Sequence, residues 1–253
     1  MKITVLGCGS SGGVPMLSYG WGNCDPRNPK NRRSRSSIMV EKGCTSLLID
    51  MSPDLRQQML DYGGNKVDAA ILTHAHYDHI NGLNELRPMF WDKKRRLPIY
   101  VKKENLPAVK KAFFYLFEES GHEIYSPYIE LHAIEDEFTI GDISGICFEQ
   151  NHGFSKSLGI RIENFAYSTD VVSLSEENFE KLKGVDTWIV DCLSMKQIKA
   201  THAHLDLALE WIRRINPRRA FLTHMDISMD YDSLLRILPE NIRPAYDQMT
   251  ISV

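Results

Sequence analysis

His74-Ala75-His76-Tyr77-Asp78-His79 places three imidazoles and one carboxylate within six residues. Neutral imidazole suits Zn, Fe, Ni or Cu, and carboxylate also suits Mn and Mg. Burying so many such groups without partners would cost free energy, so core packing is a poor account of the cluster. A divalent cation is a better one. The plain alternative is a polar loop rich in histidine by accident, and ligand-type residues in four of six places weigh against it. Just before the cluster, Ala69-Ala70-Ile71-Leu72 is short, apolar and bounded by polar residues, which predicts a buried strand. The cluster then falls at the C-terminal end of that strand, where the chain turns toward a helix beginning near Ile80. Open α/β sheets place their ligands at such ends.

Single ligand-type residues recur in the same setting. His152 follows the apolar run Ile143–Glu149, Asp170 follows Phe165–Thr169, and His224 follows Phe221–Thr223. Any one of them could be an ordinary hydrogen-bonded residue; with the hexapeptide they make a set. Asp50, ending Leu47–Ile49, could accept the second N–H of a ligand imidazole, which metal-bound histidines nearly always require, or stand as a carboxylate at a helix start. Asp191, after Trp188–Val190, is open to the same reading. Thr201-His202-Ala203-His204-Leu205 offers two histidines as proton donors to a departing group, with helix capping or solvation as the alternative for each.

These side chains need a scaffold of strands. Ile3–Leu6, Ser37–Glu41, Ser46–Ile49 and Ala69–Leu72 have strand length and composition in the first half. Further strands are expected at Ile99–Val101, Ile129–Ile134, Ile143–Glu149, Leu158–Ile162, Phe165–Tyr167, Thr187–Val190, Arg219–Leu222 and Met249–Ser252. Ser52-Pro53-Asp54 reads as a capped helix start, with the helix running to about Tyr62 and stopped by Gly63-Gly64. Other helices are expected at Leu106–Phe117, Glu176–Leu182, Leu205–Ile215 and Tyr231–Leu238. Strands alternate with helices through both halves and no Pro- or Ser-rich linker divides them, so residues 1–253 read as a single α/β domain. The least regular stretch is 83–127. There Val109, Phe113, Leu116 and Phe117 share one helix face. That face either covers the core or belongs to a lid or homodimer-forming insertion.

Composition narrows the function classes. A net charge of −3 gives no global reason to bind nucleic acid or an acidic membrane. No apolar segment is long enough to span a bilayer, and the N-terminus has no long apolar region of the secretory kind. Five scattered cysteines without a C-x-x-C argue for reduced thiols and a cytoplasmic setting. Gly7, Gly9 and Gly12 have dinucleotide-loop spacing, but Val14-Pro15 and Gly20-Trp21-Gly22 follow where a helix should, so that reading fails its context. Lys30, Arg32, Arg33 and Arg35 form the densest cationic run. It is either a solvated face or a means of selecting a phosphate-bearing substrate, with Arg33 and Arg35 as the binding candidates.

H-x-H-x-D-H followed by separate His, Asp and His at strand ends resembles the metallo-β-lactamase superfamily. The segments Gly7–Pro15, Asn31–Ser37, Tyr167-Ser168-Thr169-Asp170 and Pro244-Ala245-Tyr246-Asp247 are similar to its branch of PhnP-type cyclic phosphodiesterases and, more distantly, tRNase Z. The resemblance covers essentially the full length. It implies a four-layer αββα sandwich of two mixed β-sheets with metals at one edge. It implies two divalent ions, Zn or Mn with Fe a further option: His74, His76 and His152 on the first, Asp78, His79 and His224 on the second, and Asp170 bridging. Asp78 then counts as catalytic as well as ligating. A hydroxide shared by the metals would attack a small phosphodiester, and the branch's catalytic histidine falls on His204 by register. Relatives with several cysteines near position 24 hold a structural zinc; Cys24 alone predicts none here. The branch also leaves open tRNA 3′-processing, thioester or lactone hydrolysis, and a non-catalytic role in cofactor biosynthesis.

Overall fold

Alternate residues of the early strands look in opposite directions, and both directions are apolar. Ile38 and Val40 face one core and Met39 another; Leu47 and Ile49 are likewise divided from Leu48, and Ala69 and Ile71 from Ala70 and Leu72. Strands covered on both faces read as continuous apolar runs, and here they lie in the middle of a layered structure. The computed structural model describes residues 1–253 except 65, 91–94, 118–126 and 198. Trp91, Lys93, Lys94 and the last part of the irregular stretch therefore lie outside the described residues.

The strands are β1 (Lys2–Gly7), β2 (Ser37–Lys42), β3 (Thr45–Ile49), β4 (Ala69–Ile71), β5 (Leu97–Val101), β6 (Ile129–Ala133) and β7 (Glu137–Ile140). They continue with β8 (Ile143–His152), β9 (Ser155–Ile162), β10 (Phe165–Ser168), β11 (Thr187–Asp191), β12 (Arg219–Thr223), β13 (Ile242–Pro244) and β14 (Met249–Ser252). The helices are α1 (Leu55–Tyr62), α2 (Tyr77–Ile80), α3 (Leu106–Ala112), α4 (Glu176–Leu182), α5 (Leu205–Ile215) and α6 (Tyr231–Ile237), with short 3-10 segments between some of them.

Two seven-stranded sheets result, in the orders β14-β1-β2-β3-β4-β5-β6 and β7-β8-β9-β10-β11-β12-β13. Read in those orders, each sheet has three antiparallel pairings followed by three parallel ones. The larger core fills the space between the sheets and continues beneath α4, α5 and α6. A second core lies between the outer face of the first sheet and α1, α2 and α3. This is the expected αββα sandwich. On α5 the buried residues Leu205, Ala208, Trp211 and Ile212 form the one apolar stripe that such packing needs. Gly63 ends α1 with φ of 69°, a left-handed conformation that glycine adopts without steric cost.

Some boundaries differ from expectation. α2 opens at Tyr77, N-capped by His76, so Asp78 and His79 lie on the helix rather than before it. Asp54, not Ser52, is the cap residue of α1, and its carboxylate engages Arg35. The helix expected over Leu106–Phe117 breaks at Phe113 into a 3-10 turn, Phe114–Leu116, where a run of aromatic side chains has weak helix preference. Strands β7 and β13 went unread: one has four residues, and the other has three, ending in Pro244 at a sheet edge. β5, inside the irregular stretch, pairs with both β4 and β6, so that part is built into the sheet. Val109, Phe113 and Leu116 are buried in the second core, with Phe117 packed against it.

Among the described residues no helix is long and apolar enough to cross a membrane, and all five cysteines are unpaired. Phe113 is only 5% exposed, so Phe113→Ala is expected to cost about 3–5 kcal/mol of folding stability, as large-to-small core changes do. Urea unfolding with gel filtration checks this. A shift from dimer to monomer at undiminished stability would instead make Phe113 an interface residue.

Candidate metal centre

Strand ends deliver the ligand-type side chains to one place. His74 follows β4 after Leu72 and Thr73, His152 ends β8, and His224 follows β12. Asp170 follows β10 and Thr169. Asp170, His224 and also Asp50 after β3 have left-handed backbones, with φ of 54°, 58° and 63°. Such a conformation costs a non-glycine residue roughly 1–2 kcal/mol, and here it occurs at three strand ends that supply polar side chains to one buried cluster.

The side chains form two groups sharing one carboxylate. His74, His76, His152 and Asp170 bring ligand atoms within 4.8 Å of one another, and so do Asp78, His79, Asp170 and His224. Asp170 Oδ1 lies 3.8 Å from His74 Nε2, 3.6 Å from His152 Nε2 and 3.6 Å from His224 Nε2, while its Oδ2 lies 3.1 Å from His79 Nε2. Asp78 Oδ2 is 3.3 Å from His79 Nε2 and 3.5 Å from His224 Nε2. All of these residues except His76 are buried.

Hydrogen bonds on the outer side fix which ring nitrogens face inward. His152 Nδ1 is 2.8 Å from the Thr201 carbonyl oxygen, which can only accept, so Nδ1 carries the proton. His79 Nδ1 donates to Asp50 Oδ2 at 2.7 Å. Thr73 Oγ1 gives its proton to the Asp50 carboxylate and accepts from His74 Nδ1 at 3.0 Å. The Nε2 lone pairs of His74, His79 and His152 are thereby left pointing at carboxylate oxygens and at each other. His74 Nε2 and His152 Nε2 also approach His76 Nδ1, at 2.9 and 3.3 Å. His79 Nε2 is buried without a hydrogen-bond partner. Lone pairs facing lone pairs are stable only around positive charge, and the donor chemistry fits a pair of divalent cations.

Electrostatics in the metal-free chain say the same. Burial disfavours charge on His79, but Asp170, Asp50 and Asp78 outweigh it and hold its pKa well above the ordinary imidazole range. His224 is raised to about 9 against burial, chiefly by Asp170. His74, buried and next to His79, is pushed well below that range. Asp170 is held well below the carboxylate range, because His224, His79 and His74 overcome its burial. Protons on His79 and His224 thus neutralise the carboxylates where cations would.

A third group adjoins the first two: Asp191, His202 and His224. His202 Nδ1 is 3.1 Å from Asp191 Oδ2, and its Nε2 is 3.9 Å from Asp170 Oδ1. Its ring stacks on His224 with centroids 4.6 Å apart and meets His152 edge-on at 4.8 Å. His204, the proton donor expected by register, stands outside these groups. It N-caps α5, and its Nδ1 is buried without a hydrogen-bond partner. His202 and His204 thus differ in which way they face as the chain enters the helix, and Asp191, at the end of an apolar strand, is the partner that holds His202 toward the cluster.

Arg33 and Arg35 do not join the cluster either. Arg33 is 2% exposed, with its guanidinium against Asn31 Oδ1 and Cys24 Sγ. Arg35 is held by Asp54 at 3.0 Å. Arg33 is thus held within the loop after β1 and Arg35 ties that loop to the start of α1, so the structure does not bring either guanidinium to the cluster where the sequence reading placed substrate.

Three outcomes follow from this geometry. Asp170→Ala should lose bound metal and turnover together, measured by metal analysis and activity; full occupancy with full activity would exclude a shared ligand. Asp50→Ala should weaken metal binding or activity by roughly 10–100-fold, the usual cost of removing an imidazole's outer partner. Titrating Zn²⁺ into metal-free protein at pH 7 in weak buffer should release protons, because His79 and His224 must give theirs up to bind.

A model of the beta-lactamase superfamily domain matches residues 45–225. The chain is 29% identical over 251 residues to a Porphyromonas gingivalis protein named octanoyltransferase, covering 98% of this chain and 50% of that protein. It is 30% identical over 135 residues to a ribonuclease Z of Methanopyrus kandleri, covering 49% of this chain and 43% of that one. The chain thus spans about half the length, or less, of these curated relatives. Among solved structures, a diphosphatase from the PhnP family superposes with a TM-score of 0.90 at 30% identity, covering 100% of this chain and 97% of that one. Zn(2+)-bound PqqB from Methylobacterium extorquens superposes with a TM-score of 0.76 at 18% identity over the whole of both chains, a likeness of fold alone. Fold and family match agree, and the chain belongs to the metallo-β-lactamase superfamily, in its PhnP-like branch.

Proposed function

We propose that the chain is a phosphodiesterase for a small cyclic or nucleotide-like phosphodiester, using two divalent cations, zinc or manganese with iron a further option. The observation that carries this reading is His202, held by Asp191 and facing Asp170. An alkoxide leaving a phosphodiester needs a proton, whereas a thiol, with a pKa of about 8.5, leaves as thiolate without one. A built proton donor therefore favours an oxygen leaving group.

His74, His76 and His152 would hold one cation, Asp78, His79 and His224 the other, and Asp170 both. When bound, such a pair withdraws charge from phosphoryl oxygens and brings the pKa of a coordinated water toward neutrality. Asp50 keeps His79 in the tautomer whose Nε2 faces inward, and the Thr201 carbonyl does so for His152. Asp191 Oδ2 accepts from His202 Nδ1, which orients the ring. His202 Nε2 is then the atom that gives its proton to the departing oxygen. Such donation typically contributes on the order of 10²–10⁴ in rate.

Acyl thioester hydrolysis is a second reading, favoured by the Porphyromonas gingivalis octanoyltransferase, half of whose length this chain matches. A panel of bis(p-nitrophenyl) phosphate, an octanoyl thioester and a lactone, assayed with metal restored, separates the two; preference for the thioester would overturn the phosphodiesterase reading. His202→Ala should lower kcat by roughly 10²–10⁴ on a diester with an alkyl leaving group, and far less on one with p-nitrophenolate, which leaves unaided. His204→Ala should show no such dependence. Equal losses on both leaving groups in His202→Ala would remove the proton-donor role.

A further inference from the structure

Beyond His74 and His76 a groove of about 980 Å³ opens, bounded by the β8–β9 turn and the segment leading into α4. Its charges are matched. Lys102 pairs with Asp136 at 3.0 Å, Lys156 with Glu149 at 2.6 Å and Lys181 with Glu177 at 2.7 Å, and Glu104 adds one more carboxylate. Among the described residues, each ammonium group lining the groove is thus paired with a carboxylate. The substrate's anionic group is better placed at the metal end, and a neutral, polar moiety suits the groove.

Phe154 lines the same groove and is 98% exposed. It is two residues from His152 in the turn between β8 and β9. That turn is braced rather than loose: Gly153 has φ of 72°, and a Cβ there would meet Thr201 Cγ2 at 2.6 Å and the Ala200 carbonyl at 3.1 Å. The same stretch supplies the carbonyl that holds His152 Nδ1. Phe154 is therefore a ring with no role in the core, carried on a braced backbone two residues from His152. Hydrogen-bonding groups stand nearby. Ser173 Oγ accepts from Asn151 at 2.8 Å and keeps its own proton to offer.

We propose that Phe154 is a specificity-determining residue, the platform on which the planar base of a nucleoside stacks when that nucleoside is esterified to the reacting phosphate. The inference rests on the phosphodiesterase reading and names its substrate class. Stacking of a base on an aromatic side chain is tolerant of base identity, so purine and pyrimidine nucleosides should both be accepted.

The test uses the full chain with metal restored, and two cyclic diesters: adenosine 2′,3′-cyclic phosphate and base-free ethylene phosphate. Wild type should prefer the nucleoside diester through a lower KM. In Phe154→Ala that preference should shrink by roughly 5–100-fold, in the range base stacking supplies, and Phe154→Trp should restore it. Losses of equal size on both diesters would show a structural role and overturn the assignment. Adenosine binding, measured calorimetrically on the same proteins, separates the two claims. If wild type turns over neither diester, the phosphodiesterase reading fails; if adenosine binds wild type and Phe154→Ala equally, or binds neither, the stacking assignment fails whatever the turnover.

Discussion

Three imidazoles whose outer nitrogens are already committed must turn bare lone pairs toward two carboxylates, and everything else at this edge of the sandwich is arranged around that conflict. Asp50, Thr73 and the Thr201 carbonyl take the outer positions of His79, His74 and His152. What remains inside is a concentration of electron pairs on side chains that, His76 apart, are buried. Without metal, protons on His79 and His224 relieve it. Cations relieve it better, since each can meet several lone pairs at once while a proton meets two. Asp170 is the member the two groups share, and its carboxylate is ringed by four imidazoles and the Thr169 hydroxyl, which donates to Oδ2 at 2.6 Å.

The sandwich makes this conflict affordable. Continuous apolar strands bury both faces of the first sheet, so the polar termini of β3, β4, β8, β10, β11 and β12 are the places where side chains can leave the core without disturbing it. Left-handed backbone at Asp50, Asp170 and His224 is tolerated because the ladders on either side of those positions are complete. The hydrogen bonds from Thr73 N to Asp50 and from Val171 N to Asp191 use backbone groups that a strand would otherwise leave unmatched just past its end.

Much of the site was legible because each ligand announces itself locally: a polar residue just beyond an apolar run, as at His74, Asp170 and His224. The strands themselves were readable for the same reason, since burial on two faces leaves an unbroken apolar signature. What local pattern could not convey is direction. His202 and His204 flank Ala203 at the mouth of one helix, and only the placement of Asp191, eleven residues back and one strand over, turns His202 inward. Arg33 and Arg35 read as available cations because their partners, Asn31 and Cys24 for one and Asp54 for the other, meet them only through folding of the loop. Asp247, in one of the segments that carried the family resemblance, accepts from Ser34 N and Oγ and from Cys8 N. Motifs there mark structure as much as chemistry.

The matched run of strand directions in the two sheets has a consequence for where two buried carboxylates fall. β3 and β10 hold the same fourth place in their respective sheets, and each is followed by an aspartate with the same backbone handedness, Asp50 after one and Asp170 after the other. One of these carboxylates stands among the imidazoles, while the other sits behind His79 and holds its Nδ1.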